Sequence, residues 1–328
     1  MWNFSIAEAL GLMGRTLPFL LLRLAVYFGA ALAYVLMTGI GAGVGWGIGG
    51  FGDAGFRAAT SFWGGVVGFG IVAAVMYALR EYVLYIVKAG HIAVLVEMID
   101  GEPMPEGRSQ VGHARAVVSD RFTETSVLFG VDQLIKGVLR AITGMVRGIT
   151  GFLPLPGAQQ FAMLVHGFLR MSVGFVDEVI LAHSIRTRSK NVWQSARTGL
   201  VLYAQNYKPM LKNAAWLALL VYGLAFVVFL VMLVPAGLAV YLIPGAWSAS
   251  GMVFALLFAW SVKAALLEPL AIACMMQVYF RTIEGQVPDP AWDAKLEHLS
   301  RPFRTLKERA LAMPELGEGE GLARATAR

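Results

Sequence analysis

Two stretches decide how this chain is read: Ala89–Pro105, AGHIAVLVEMIDGEPMP, and Ala273–Pro290, ACMMQVYFRTIEGQVPDP. Each closes a long apolar run with Ile-acid-Gly and two prolines, so Asp100-Gly101 and Glu284-Gly285 occupy the same point. An Arg and a Phe follow in both, at Arg121-Phe122 and at Arg301-Pro302-Phe303. Working backwards, Arg15 and Pro18 lead into LLLRLAVYFGAALAYVL much as Lys208-Pro209 lead into LKNAAWLALLVYGLAFVVFL. A loop rich in Gly or Pro then separates each run from a second one, starting at Phe62 and at Met252. Repetition on this scale predicts two copies of a helical hairpin. Apolar helices resemble one another by chance, so the weight rests on the polar punctuation.

The composition sets the class. With 57% hydrophobic and 15% charged residues and a mean hydropathy of +0.64, the chain departs from soluble domains, which carry about 25% charged residues. Several uncharged runs reach the roughly 20 residues that a helix needs to cross a bilayer. They are continuously apolar rather than alternating, which excludes a β-barrel. The expected fold is all-α: a polytopic membrane helical bundle with about six long helices. Two parallel hairpin repeats flank a central amphipathic or broken-helix segment. The first run is too long for the core of a cleavable leader. Cys274 stands alone inside an apolar run, so there is no disulfide framework. The net charge of +6 is concentrated beside the spans, where the positive-inside rule accounts for it better than nucleic acid does.

The expected organisation is residues 1–125 as a leading amphipathic segment and first hairpin, and 126–190 as the central segment. Residues 191–312 form the second hairpin and 313–328 a disordered tail. The first span is expected over about Leu20–Leu36, with Arg23 snorkelling to the headgroups. Gly41, Gly45 and Gly49 recur every four residues. That spacing predicts a helix end packed closely on a neighbour, followed by a flexible outer loop. The run from Phe62 to Ile99 would measure roughly 57 Å as one helix, so it projects from the membrane or breaks near Arg80-Glu81. Over Ser126–Thr150, Asp132, Lys136, Arg140 and Arg147 form a charged stripe on an apolar helix. Such a stripe faces either headgroups or a wet cavity. Basic clusters at Arg186-Thr-Arg188-Ser-Lys190 and Arg301–Arg309 mark the cytoplasmic side, with both hairpin tips outside.

Ionisable groups at membrane depth cost a few kcal/mol each and default to functional candidates. Here they are Arg80, Glu81, Lys88 and His91 in the first copy and Lys263 and Glu268 in the second. Mutual neutralisation competes with a substrate pathway: Arg80 or Lys88 with Glu268, and Glu81 with Lys263. Trp63, Tyr77, Tyr82, Tyr85 and Trp260 border the same region. Aromatic faces with a carboxylate suit a quaternary ammonium, and interface belts use the same residue types. Lys136, Arg140 and Arg147 are the lipid-binding candidates. His166, Asp177, Glu178 and His183 lack the i, i+4 spacing of a helical metal site, so no metal or other cofactor is expected. No catalytic motif is present, and an enzyme is not expected.

From about Phe62 to Leu311 the chain resembles the C-terminal half of the choline transporter-like family of solute carriers. The resemblance is carried by Asn191-Val-Trp-Gln-Ser195-Ala196-Arg197, running through Asn206 into a span. The helix ends at Ile99-Asp100-Gly101 with Arg121, and at Ile283-Glu284-Gly285, add to it. It implies an α-helical carrier for choline or a related organic cation in the plasma membrane. The chain is about half the family's length, which leaves a homo-oligomer to supply missing walls.

The expectation is therefore a transporter or pore for a small cationic solute such as choline. Its substrate-binding residues would be Glu81, Glu268, Arg80, Lys263, His91, Trp63, Trp260 and Tyr85. The alternative is a non-catalytic membrane scaffold or lipid-interacting protein. Either would sit in the plasma membrane (the inner membrane of a bacterium) with both termini cytoplasmic. Aligning Gly101 with Gly285 further predicts an ion pair between Glu97 and Arg281.

Overall fold

The computed structural model describes residues 2–79, 85–102, 109–121, 130–140, 176–189, 191–242 and 250–313. All regular structure among these residues is helical. In chain order the helices are α1 (Ile6–Arg15), α2 (Leu17–Ile48), α3 (Ala54–Leu79), α4 (Tyr85–Ile99), α5 (Gln110–Arg121) and α6 (130–140). They continue as α7 (Val176–Arg186), α8 (Val192–Gln205), α9 (Tyr207–Leu242), α10 (Ser250–Val262), α11 (Glu268–Ile283), α12 (Pro290–Leu299) and α13 (Arg301–Ala312). A π-turn, Lys263–Leu267, joins α10 to α11.

Four segments are long and apolar enough to cross a membrane: Leu17–Phe51, Ala54–Tyr77, Tyr207–Leu242 and Gly251–Ile283. They fall on the four runs read from the sequence. Two of them outlast the expected loops. The glycine-rich stretch stays helical to Ile48 and closes in a short 3₁₀ turn, Gly49–Phe51. Similarly, α9 runs through Pro235 to Leu242. Uncharged Gly- and Pro-containing sequence, read as loop, remains helical where a neighbouring helix or apolar surroundings support the backbone.

The chain divides into two compact units. One comprises Met13–Lys88 and Leu219–Leu270; the other comprises Met1–Leu12, Ala89–Ala218 and Ala271–Arg328.

In the first unit, α2 and α3 meet backbone to backbone. A Cβ added at Gly41 would lie 2.1 Å from the Gly64 carbonyl oxygen, and one at Gly45 would lie 2.0 Å from that of Thr60. A Cβ at Gly68 would lie 2.0 Å from the Met37 oxygen. Only glycine permits this approach, as the four-residue spacing predicted. Elsewhere in the unit, Ala31, Ala42, Ala236, Phe254, Ala255 and Phe258 form an apolar cluster, with Phe229 and Met232 against it.

The second unit is laced with polar side chains. Asn191 caps α8 by accepting from Gln194 N–H at 3.0 Å, and its Nδ2 donates to the Ala310 carbonyl at 2.7 Å. Asp293 on α12 accepts from Arg197 at 2.7 Å and Lys307 at 3.0 Å. Burial alone would raise the Asp293 pKa, but hydrogen bonds from Arg197 and Lys307 carry it below the usual value. The same network, led by the hydrogen bond to Glu297, raises Lys307. Two buried amides hold the N-terminal strap: Asn213 Oδ1 accepts from Asn3 N–H at 2.7 Å, and Gln277 Oε1 from Ser5 N–H at 3.0 Å.

Gly101 and Gly285 both adopt left-handed backbone, with φ of +75° and +70°. At Gly101 the Glu102 N–H reaches back to the Glu97 carbonyl at 2.9 Å, the long bond of a Schellman cap. Ile-acid-Gly is what such a cap selects, whether or not the hairpins share an ancestor. The ion pair predicted between Glu97 and Arg281 is replaced by two others. Glu97 meets His113 at 2.8 Å and Arg281 meets Glu8 at 3.0 Å. Equivalent positions in sequence do not here become neighbours.

Candidate functional site

Arg23, Lys263 and Glu268 gather around the π-turn. The turn has a local cause. Glu268 N–H bonds to the Lys263 carbonyl, five residues back, which passes over the Ala264 carbonyl. The next donor in that register would be residue 269, and Pro269 has no N–H. The Ala264 oxygen is left without its helical partner. Arg23 Nη2 donates to it at 2.7 Å, across 241 residues of sequence.

Arg23 lies six residues into α2, about 9 Å along the helix. It was expected to snorkel; instead it is 1% exposed. An orphan carbonyl in an apolar interior is a stronger attractor than distant headgroups, because leaving it unpaired costs about 1–3 kcal/mol. The same Nη2 stands 3.8 Å from Glu268 Oε2, and the guanidinium carbon lies 5.8 Å from the Tyr27 ring centroid. The Nε–H finds no partner among the described residues.

Lys263 completes the cluster. Its Nζ meets Glu268 Oε1 at 2.7 Å and sits 5.0 Å from the Tyr222 ring centroid. Lys88 is near enough to act on it as a like charge. Trp260 packs edge-on against Tyr27 at 5.4 Å, and Ser261 Oγ donates to the Tyr27 carbonyl at 2.9 Å. Glu268, read as a free counter-charge for a cationic solute, is thus flanked by two cations of the chain itself. The partners foreseen for neutralisation were Arg80 or Lys88 with Glu268. Among the described residues Lys263 and Arg23 meet Glu268, because the π-turn brings residues 263 and 268 together and the bare carbonyl draws Arg23 in; Arg80 lies outside the described residues.

Trp63 is 64% exposed, with its ring edge-on to Phe62. His91 is buried in the other unit. Arg80, Glu81, Tyr82, Arg147 and His166, with any break near Arg80-Glu81, lie outside the described residues, as does the Tyr85 side chain. Of the charged stripe, Asp132 is buried, Lys136 half-buried and Arg140 exposed. Lys136 meets Asp132 at 2.5 Å and Asp177 at 3.8 Å, and a Cβ at Gly137 would lie 2.6 Å from Pro302. The α6 stripe therefore runs from the interior of its unit to its surface.

His183 sits edge-on to Tyr279 at 5.7 Å, with Nε2 unpartnered among the described residues. Burial first, and Arg186 second, lower its pKa to about 4, so it is neutral at pH 7. Burial likewise pushes the Tyr203 phenol up. Among the described residues no three His, Cys, Asp or Glu side chains are grouped to hold a metal. The residues that carried the family resemblance have structural tasks: Asn191 caps, Ser195 bonds Thr187 at 3.0 Å, and Arg197 holds Asp293.

Arg23, Tyr27 and Tyr222 are the side chains around Lys263 and Glu268 that the sequence reading left out of the site. The available signal was an arginine inside an apolar run. Comparison with protein-family models, with curated proteins and with solved structures finds no match to this chain.

Proposed function

We propose that this integral membrane protein is a transporter or pore for a small charged solute, recognised at the Arg23–Lys263–Glu268 cluster. One observation carries the reading. A guanidinium that is 1% exposed, beside an ammonium and a carboxylate, sits inside a unit whose apolar cluster is built from Ala and Phe. Ionisable groups kept in such surroundings are expensive and mark solute or ion paths. The choline-like version requires Glu268 and the rings to be open to a cation. Glu268 already faces Lys263 and Arg23, and those cations lie near the Tyr222 and Tyr27 rings. A choline-like solute would have to displace them.

Proteoliposome uptake tests the proposal. Labelled choline and a labelled small anion are offered to the native protein and to Glu268→Gln. Uptake of either solute above empty vesicles, altered in the variant, is the expected result. Uptake indistinguishable between the two proteins sinks the assignment of the cluster.

A second reading, a non-catalytic membrane scaffold or lipid-interacting protein, is favoured by the internal pairing of Lys136 with Asp132 and of Lys263 with Glu268. It predicts no flux of any solute. Under either reading the chain resides in the plasma membrane, or the bacterial inner membrane, with cytoplasmic termini. Cysteines placed at Gly50 and Ala246 should then label from outside, and those at Arg188 and Ala310 should not. Opposite labelling of Gly50 and Ala246 would make the hairpins inverted. A homo-oligomer in detergent would fit the proposed transporter.

A further inference from the structure

From the charge tally at the π-turn we infer that the ligand of this site is an anion carrying an oxyanion group, a carboxylate or a phosphate. The inference rests on the proposed solute site and names its chemical class. Among the described residues the cluster sets Arg23 and Lys263 against the single carboxylate of Glu268, and Lys88 acts on Lys263 as a further like charge. An excess of positive charge among apolar side chains is costly, so such a site attracts a negative partner.

The geometry of Arg23 points the same way. Its side chain is 1% exposed, one nitrogen holds the Ala264 carbonyl, and the Nε–H is unpartnered among the described residues. A guanidinium offers its donors as a planar fork, the arrangement that matches a carboxylate or phosphate. The aromatic faces that would recognise an organic cation lie beside the chain's own cations. Shape and sign thus favour an oxyanion over choline.

The test titrates the protein in phosphatidylcholine nanodiscs with inorganic phosphate and with acetate at constant ionic strength, reading the thermal midpoint. A second arm replaces part of the lipid with phosphatidylglycerol. Saturable stabilisation by a free anion identifies a soluble ligand; stabilisation by phosphatidylglycerol alone identifies a lipid headgroup. Either supports the site. Arg23→Gln and Lys263→Gln should lose the shift, whereas Glu268→Gln, which removes the one competing carboxylate among the described residues, should lower the half-saturating concentration about tenfold. The cation reading predicts the reverse for Glu268→Gln. Should Arg23→Gln fail to fold, Lys263→Gln and Glu268→Gln decide the matter between them. No shift with any probe, or the same shift in native protein and both of these variants, overturns the inference. Binding without flux would reject the transport reading and leave the anion site standing. Flux indifferent to anions would do the opposite.

Discussion

In the α2–α3 hairpin a Cβ at Gly45 would sit 2.0 Å from a carbonyl oxygen, whereas along α9 a Cβ at Gly223 or Gly237 would meet nothing within 4 Å. These regions were read as copies of one hairpin. The first is closed by backbone contact that admits no side chain. In the second, contact passes through side chains: Phe229 and Met232 pack on a cluster that Phe254 and Phe258 share with Ala31 and Ala42 of α2, and Lys263 lies over the Tyr222 ring. Similar polar punctuation at the ends does not impose similar packing between them. The ends are governed by capping, which a few residues specify, and the interior by whichever surfaces happen to be complementary.

The comparison breaks most easily at Gly45. Gly45→Val should cost roughly 3 kcal/mol or more, since the helices must separate to admit the side chain. Gly237→Val should change stability by only about 0.5 kcal/mol. Comparable losses, measured by thermal unfolding in detergent, would mean that both hairpins pack alike.

Acid should act elsewhere, in the unit that contains His183. Its pKa is lowered in the fold, so the unfolded chain takes up a proton first as pH falls below 6.5. The stability held above pH 6.5 is then lost progressively toward pH 4, reaching about 3 kcal/mol. His183→Phe should flatten that pH profile; a profile unchanged in the variant would assign the loss to other groups.

A smaller effect, about 2 kcal/mol, is expected for Arg23→Met, which strands the Ala264 carbonyl. Pro269→Ala restores an N–H at the position where that carbonyl lacks its donor. In the double variant the loss should shrink, and a strictly additive cycle would disprove the link between the proline and the arginine.

The smallest pair tests what the two halves share. Gly101→Ala and Gly285→Ala should each cost about 1 kcal/mol, from left-handed backbone alone. Nothing lies within 4 Å of either added Cβ, so the two losses should agree; a marked inequality would show that only one cap matters.

Much of this was legible beforehand, for local reasons. Four spans follow from run length, and the close approach of α2 to α3 from Gly41 and Gly45. Lys263 and Glu268 stood out as ionisable groups in an apolar run, and they flank the place where the return helix departs from α geometry. Arg23 was misjudged because its partner carbonyl belongs to Ala264, a contact that no local pattern encodes. Asn191 and Arg197 were legible as a motif but not as a task, since a cap and an ion pair leave the same trace as a binding signature. Glu97 and Arg281 failed for a different reason: a shared alignment position says nothing of distance.

The bond from Arg23 to the Ala264 carbonyl also has a history within each molecule. The two residues are separated by 241 positions, and at about 5–20 residues per second a ribosome needs roughly 10–50 s to deliver the second after the first. For that interval the nascent α2 carries a charged side chain whose final acceptor has not been made. The α3 segment, by contrast, emerges immediately after α2, so the glycine-lined hairpin can close early while Arg23 is still waiting. Assembly thus has an order written into it, and the arginine meets its carbonyl only once the Gly251–Ile283 span has been made.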